Sequence, residues 1–331
     1  MKLSVLDQSV ACAGRDEGHA LRDTLDLAQH CEALGCARFW VSEHHGLPTI
    51  VGSAPEILMA AIAARTTRIR IGSAGVMLPH YAALKVAEQF RVLDALAPGR
   101  IDLGVGRAPG GDQRTALALN PNAARAADQF PQQVVDLQAW TSGLRHQGLT
   151  AHPLPASGGT PPEIWILGSS DYGAQLAAHL GLPYAFAYFF MDGQGVEQAL
   201  GLYRQLYRPS ARHPRPQPTI CVWALAADTE AAAHHHALSR DRWRLDRQRG
   251  VLGPLKTPDE VAAAGFSATE SAELAPLRRR SLVGTAEHVA QGLRRLADEL
   301  DLDEIVINTW AHDPAVRRHS YALLAGQFGP P

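Results

Sequence analysis

Cys36-Ala-Arg-Phe-Trp-Val41-Ser-Glu-His-His45 reads as a short apolar strand that runs out into a glutamate and two histidines. Upstream, His19 to Leu34 carries Leu21, Leu25 and Ala28 at helical spacing and stops at Gly35, so a helix feeds this strand. Upstream of that helix, Lys2 to Leu6 is a short apolar strand. Downstream, Ser53-Ala-Pro-Glu56 has the pattern of a capping box with proline in the first turn, and an Ala-rich helix extends from it to about Ala64. The strand-then-helix unit then repeats along the chain.

Strands three and four are expected at Ile69–Ser73 and Ile101–Val105, with a helix over Ala82–Leu96 closed by Pro98-Gly99 between them. A helix near Arg125–Trp140 leads through a Pro/Gly-rich stretch, His152 to Pro162, into strand five at Ile164–Leu167. A helix over Asp171–Leu180 ends at Gly181. Strand six is Tyr184–Phe186, with a helix after it from about Gly193 to Tyr207. Strand seven is Thr219–Ala226 and the segment Thr229–Arg249 is helical. Thr285–Leu300 is a further helix, Glu304–Asn308 is strand eight, and Asp313-Pro314 opens a last helix by N-cap and N1 logic. Eight strands alternating with helices predict an α/β fold, a (β/α)8 TIM barrel. The competitor is a doubly wound open sheet. It lacks support because no GxGxxG stands after the first strand and no acidic residue stands about 20 residues further on.

The 331 residues, 46% of them hydrophobic, are expected to form one domain over 1–331. The pattern lapses between Gly250 and Val283, which holds Pro254, Pro258, Gly265, Pro276 and Arg278-Arg279-Arg280. This stretch reads as a lid-like mobile loop insertion near the C-terminal third, or as a solvated surface excursion. A formal charge of −2 gives no attraction to nucleic acid or to an anionic membrane surface. No apolar run approaches the roughly 18–20 residues of a membrane span. Cys12, Cys31, Cys36 and Cys221 show neither a CxxC pair nor zinc-ligand spacing. No signal peptide is visible, and a cytoplasmic protein with free thiols is expected.

In such a barrel, residues just past the C-terminal ends of the strands face the active site. That rule selects Asp7 and Gln8, Glu43-His44-His45, Ala74 to Met77, Gly106-Arg107, Gly168-Ser169-Ser170 and Asn308-Thr309-Trp310. His44 and His45 can bind a metal, transfer protons or fill a polar layer. A metal needs a third converging ligand, and neighbouring residues on a strand point to opposite faces, so no metal is expected. Gly168-Ser169-Ser170 enters a helix whose N-terminal N–H groups and dipole suit an anion, with Arg107 one station away to supply a charged fork. An ordinary serine cap and a surface arginine fit the same residues. Ser73-Ala74-Gly75 marks a bulge, a shelf for a flat ring, or tight packing. His234-His235-His236 lies inside a helix, where successive residues share no face, and reads as surface.

On these residues the chain resembles the bacterial luciferase-like family of flavin-dependent oxidoreductases, in its monooxygenase branch. The resemblance spans nearly the whole length. It rests on FWVSEHH (39–45), IRIGSAGVMLPHY (69–81), EQFRVLDALAPGRIDLGVGRAPG (88–110), WILGSSDYGAQLAAHLGLPYAFA (165–187), VGTAEHVAQGL (283–293) and EIVINTW (304–310). The resemblance implies a TIM barrel that uses reduced FMN or, in some branches, the deazaflavin F420. It implies His44 as the catalytic histidine. A non-proline cis peptide under the flavin falls at Ala74–Gly75, and flavin contacts fall at Ala74, Gly75, Gly106, Arg107, Gly168, Ser169 and Ser170, with Arg107 at the phosphate. Two departures stand out: Ser169 replaces a glutamate and Gly106 a reactive cysteine of luciferase, which argues against light emission. The 250–283 segment resembles luciferase's mobile loop.

The expected activity is therefore FMN-dependent monooxygenation. A separate NAD(P)H-flavin reductase supplies reduced FMN, and one atom of O2 passes to a small organic substrate. The alternatives are an F420-dependent hydride-transfer enzyme and a non-catalytic flavin-binding protein. A homodimer is typical of the family, with the Ala-rich helices 55–64 and 82–96 as contact surfaces.

Overall fold

The structure, a computed structural model, describes residues 1–108, 111–156 and 159–329. Pro109 and Gly110, at the end of the fourth-strand motif, lie outside the described residues. Strands β1 (Lys2–Asp7), β2 (Arg38–Val41), β3 (Arg70–Met77), β4 (Ile101–Gly106), β5 (Glu163–Gly168), β6 (Tyr184–Phe186) and β7 (Pro218–Ala227) pair in sequence order, all parallel. Strand β9 (Glu304–Asn308) sits between β7 and β1 and closes the barrel, with Ile220 beside Ile305 and Val5 beside Ile307. The expected (β/α)8 TIM barrel is the fold.

Alternation along each strand divides the core in two. Val5, Phe39, Val41, Ile71, Leu103, Ile166, Ile220 and Ile305 point outward and pack under the helices. Leu6, Trp40, Trp165, Ala185, Cys221 and Val306 point inward and fill the barrel. Small residues let the strands approach. A Cβ on Gly72 would stand 2.7 Å from Asp102 Cβ, and one on Gly104 would strike the Ser73 carbonyl oxygen. At the N-terminal end of the barrel, Arg38 donates to Asp102 (2.9 Å), Glu163 (2.8 Å) and Glu304 (3.0 Å). Trp40 Nε1 donates to Asp102 at 2.9 Å and Trp165 Nε1 to Glu163 at 3.1 Å. A buried cluster of this kind fixes geometry more than it adds net stability. It plugs one end and leaves the C-terminal mouth for chemistry.

The helices are α1 (Glu17–Ala33), α2 (Pro55–Ala63), α3 (Ala83–Leu96), α4 (Gln113–Leu119), α5 (Ala123–Asp128), α6 (Phe130–Thr141), α7 (Asp171–Leu180), α8 (Val196–Leu206), α9 (Glu230–Gln248), α10 (Pro258–Ala264), α11 (Ala268–Arg279), α12 (Ala286–Leu300) and α13 (Pro314–Phe328). Gly181 ends α7 in the left-handed region, and the Asp313 side chain caps α13 by accepting from Ala315 N at 2.7 Å, as the sequence implies. Other local expectations fail. Ser53 does not cap α2; Ala54 holds the N-cap position without a side-chain bond, and Glu56 accepts from Gln89 instead. The buried face of α1 is Ala20, Thr24, Leu27, Ala28 and Cys31 rather than the Leu21–Leu25 line. The helix expected near Arg125–Trp140 is two, because the chain breaks at Gln129 and Pro131 restarts it; α4 precedes both.

The 250–283 segment is more regular than its composition implies. Thr257 and Ser267 each close a capping box, on α10 and α11. Strand β8 (Leu282–Thr285) pairs with the second half of β7, beyond the barrel. Leu255 exchanges backbone bonds with Ala11 and Ala13, and Glu270 accepts from Arg242 of α9 at 2.8 Å and from Arg249, just after that helix, at 2.5 Å.

Candidate active site at the C-terminal mouth

The mouth is built from the segments that leave β1 to β5, β7 and β9, walled by α9. Its apolar part is Val10, Ile50, Trp223, Leu255 and Trp310, with Phe189 and Trp243 against them. Trp243 and Trp310 meet edge to face at 4.6 Å. Among the residues selected after β1 and β9, inward and outward positions separate cleanly. Gln8 Oε1 accepts from Asn308 Nδ2 (2.6 Å) and Trp310 Nε1 (3.1 Å) inside the mouth. Asp7 turns outward to Arg317 of α13 at 2.8 Å, and Thr309 donates to the Ala224 carbonyl. Both are structural.

After β2 the chain leaves extended geometry, and its three polar residues part. Glu43, 2% exposed, is an acceptor hub. Tyr81 Oη donates to it at 2.7 Å, His45 Nε2 at 2.8 Å and Met77 N at 3.2 Å. Burial first, and then the Glu43 carboxylate, push the Tyr81 hydroxyl far above its ordinary range. His44 points elsewhere, with Nδ1 3.3 Å from Ser42 Oγ. No carboxylate compensates its burial, so desolvation, and after it the electrostatic fields of His45 and Arg247, lowers its pKa to about 4. At neutral pH it is an uncharged imidazole. Among the described residues no three His, Cys, Asp or Glu side chains converge as metal ligands.

The peptide between Ala74 and Gly75 is cis. The pairing of β3 with β4 shifts register between Ser73 and Val76, a bulge at the place the small residues marked. Glycine at 75 is required by the barrel itself: a Cβ there would lie 2.8 Å from the Gly104 carbonyl oxygen and against Leu167. Gly106, by contrast, has no atom of the described residues within 4 Å of where a Cβ would stand. It borders open space.

Arg107 and the turn after β5 do come together. The Arg107 guanidinium lies 4.0 Å above the ring of Tyr172, in the first turn of α7. Ser170 is the N-cap of α7 in extended geometry, and its hydroxyl caps nothing. Ser169 and Ser170 are exposed, and Gly168 is half-buried beside them. The N-terminal N–H groups of α7, its helix dipole and a guanidinium with no carboxylate partner among the described residues meet here, an arrangement whose field favours an anion. Tyr172 and Glu43 lie within reach of a sequence reading, at GSSDY and SEH, but their partners do not. The wall supplied by α9 escapes it, because SRDRWRLDRQR reads only as a charged helix. A cleft of about 370 Å³ lies at the opposite end of the barrel, between Met1, Arg294, Asp303 and Phe328, away from all of these groups.

A parallel eight-stranded barrel with an imidazole, a bulged third strand and an anion cradle at its C-terminal rim is the frame of a barrel oxidoreductase. The luciferase-like monooxygenase family model matches residues 1–302, and the chain belongs to that family of oxidoreductase enzymes. It is 40% identical to a luciferase-like monooxygenase of Escherichia coli (strain K12), over 97% of this chain and 95% of that one. It is 36% identical to an N-acetyl-S-alkylcysteine monooxygenase of Bacillus subtilis (strain 168), over 98% and 97%. The crystal structure of apo-MsnO8 superposes with a TM-score of 0.92 at 35% identity, covering 99% of this chain and 98% of that one. In fold alone, it is similar to the oxygenating constituent of 3,6-diketocamphane monooxygenase from Pseudomonas putida, solved with FMN (TM-score 0.71, 17% identity). An F420-dependent secondary alcohol dehydrogenase is similar in the same sense (TM-score 0.66, 14%).

Proposed function

We propose that this protein is an FMN-dependent monooxygenase that passes one atom of O2 to a small organic substrate. The observation that carries the reading is the cradle of Arg107 over Tyr172 beside the uncapped Ser169-Ser170 turn, on the same rim as the buried neutral His44. Reduced FMN, delivered by a separate NAD(P)H-flavin reductase, supplies the activation of oxygen. Arg107, Ser169 and Ser170 hold its phosphate. Ala74, Gly75, Gly106 and Gly168 border its ring system, and Gly106 leaves the space it needs. His44 holds or moves a proton at Nε2, since Nδ1 faces Ser42, and its neutrality lets it accept as well as donate. The Trp and Phe wall keeps water out. The relative named N-acetyl-S-alkylcysteine monooxygenase suggests N-acylated thioether amino acids as the first substrates to assay. The 250–283 segment covers the mouth and moves as the cofactor enters and leaves. Ile57, Val92 and Leu96 are exposed on α2 and α3 and serve a homodimer interface. The protein works in the cytoplasm as one domain.

The test is flavin binding. Loss of one charge-assisted contact is worth about 1.5–3 kcal/mol, so Arg107→Ala should weaken FMN roughly ten- to a hundredfold. Riboflavin, which lacks the phosphate, should bind both forms alike. Equal FMN affinity in the two forms would remove the phosphate assignment. The F420-like fold relative keeps a second reading open, hydride transfer to or from F420; tight F420 binding without FMN binding would favour it.

A further inference from the structure

We infer that Arg240 and the indole N–H of Trp223 form an anion subsite at the β7 side of the mouth that takes the carboxylate of the organic substrate. The inference rests on the monooxygenase reading above and deepens it. Arg240, on α9, is 8% exposed and lies 4.0 Å over the ring of Trp223. Among the described residues it makes no hydrogen bond or ion pair. The two acids nearest in charge, Asp192 and Asp241, are already engaged by Arg244 at 2.6 Å and by Arg278 at 2.7 Å. Trp223 is 6% exposed, and its Nε1 is buried without an acceptor. A buried indole N–H without an acceptor, beside a guanidinium with no hydrogen-bond partner among the described residues, is costly unless something accepts from it.

The cleft they share is lined by Tyr188, Phe189, Asp192, Arg280 and Ser281 and holds about 20 Å³. That is room for one or two polar atoms and not for a ring. It stands at the height of the mouth, since Trp223 pairs in register with Asn308 at the end of β9, and Val222 and Leu282 complete its wall. Arg247, whose field acts on His44, stands seven residues on along α9, two turns and roughly 10 Å from Arg240. One face of α9 thus runs from the subsite to the arginine that acts on the imidazole. Burial, and Arg244 beside it, lower the Arg240 pKa to about 9, which leaves it a cation at neutral pH. A single carboxylate matches one guanidinium fork. A flavin phosphate has its own cradle after β4 and β5, and Asp192 in the cleft disfavours a second negative charge.

The experiment titrates the apo protein with N-acetyl-S-methyl-, S-butyl- and S-benzylcysteine and with the carboxamide of each, by calorimetry and thermal shift. FMN and riboflavin are titrated in parallel. Wild-type protein should bind at least one acid roughly ten- to a hundredfold more tightly than its amide. Arg240→Gln should erase that preference and leave both flavins unaffected. Its unliganded melting temperature should equal or exceed that of wild type, because an unpaired buried cation is gone. A merely structural arginine would lower it. Trp223→Phe keeps the ring and should weaken acid binding severalfold, which preserves the test if Arg240→Gln does not fold. Equal binding of acid and amide, absence of acid binding at millimolar concentration, or a preference that survives Arg240→Gln overturns the inference. FMN binding weakened by Arg240→Gln with riboflavin unchanged overturns it too, by assigning the cleft to phosphate. Failure of wild-type protein to bind any flavin sinks the monooxygenase reading alone, since the acid-over-amide preference is read without flavin.

Discussion

The neutral state of His44 has a measurable cost in acid. In the unfolded chain its imidazole takes a proton near pH 6.5, whereas in the fold it resists down to about pH 4. The unfolded state therefore binds more protons throughout that interval. The stability tied to a neutral His44 is complete above pH 6.5, falls as the pH drops and is spent by about pH 4. The gap between the two values corresponds to roughly 3 kcal/mol. Its causes are physical and separable: burial without a carboxylate, then the electrostatic fields of His45 and Arg247. Glu43, next in sequence, would have reversed the effect, but its oxygens are taken by Tyr81, His45 and the Met77 N–H. The perturbation is His44→Asn, read by urea unfolding at steps from pH 7 to pH 4. Wild-type protein should lose about 3 kcal/mol more than the variant across that range. Nitrogen-15 NMR of the imidazole should show a neutral ring at pH 5.5. A ring that titrates near pH 6.5, or parallel stability curves for the two proteins, would mean that His44 is neither desolvated nor held neutral by its neighbours.

The same geometry sets four further outcomes. Glu43→Gln removes the charge at the hub and should cost about 1.5–3 kcal/mol, while the Tyr81 pKa falls but stays raised by burial, seen as phenolate absorbance at somewhat lower pH. Gly104→Ala drives a methyl group into the Ser73 carbonyl and should cost about 1–3 kcal/mol in denaturant. Gly106→Ala meets nothing and should stay within about 0.5 kcal/mol of wild type, yet weaken FMN if the ring system passes there. Ile57→Glu with Leu96→Glu should shift sedimentation to monomer if α2 and α3 form the dimer interface, and an unchanged coefficient would retire that surface.

The places where local sequence misleads have a common pattern. Ser53-x-x-Glu56 has the letters of a capping box, but the helix starts one residue later with Ala54 at the N-cap, and Glu56 accepts from Gln89 of α3. Gly75 reads equally as a ligand shelf or as tight packing, and only the fold shows the close approach to Gly104 and Leu167. The 250–283 stretch loses its period because the short helices capped by Thr257 and Ser267 each bury a single apolar residue, Val261 and Leu274, with Glu270 paired to Arg242 of α9.

Chain order is enough to establish the barrel, its mouth and the membership of the rim, because strand period and turn signals are local and the C-terminal ends of parallel strands share one face. It is also enough to place His44, Arg107 and the Ser169-Ser170 turn just past the strand ends, where the proposed function gives them their roles. Three-dimensional packing was needed to tell which of two adjacent histidines keeps the carboxylate, that Arg107 lies on Tyr172, and that Arg240 is buried without a counter-ion. Those are consequences of burial and of distances between residues far apart in sequence, and desolvation and Coulomb energies depend on nothing else.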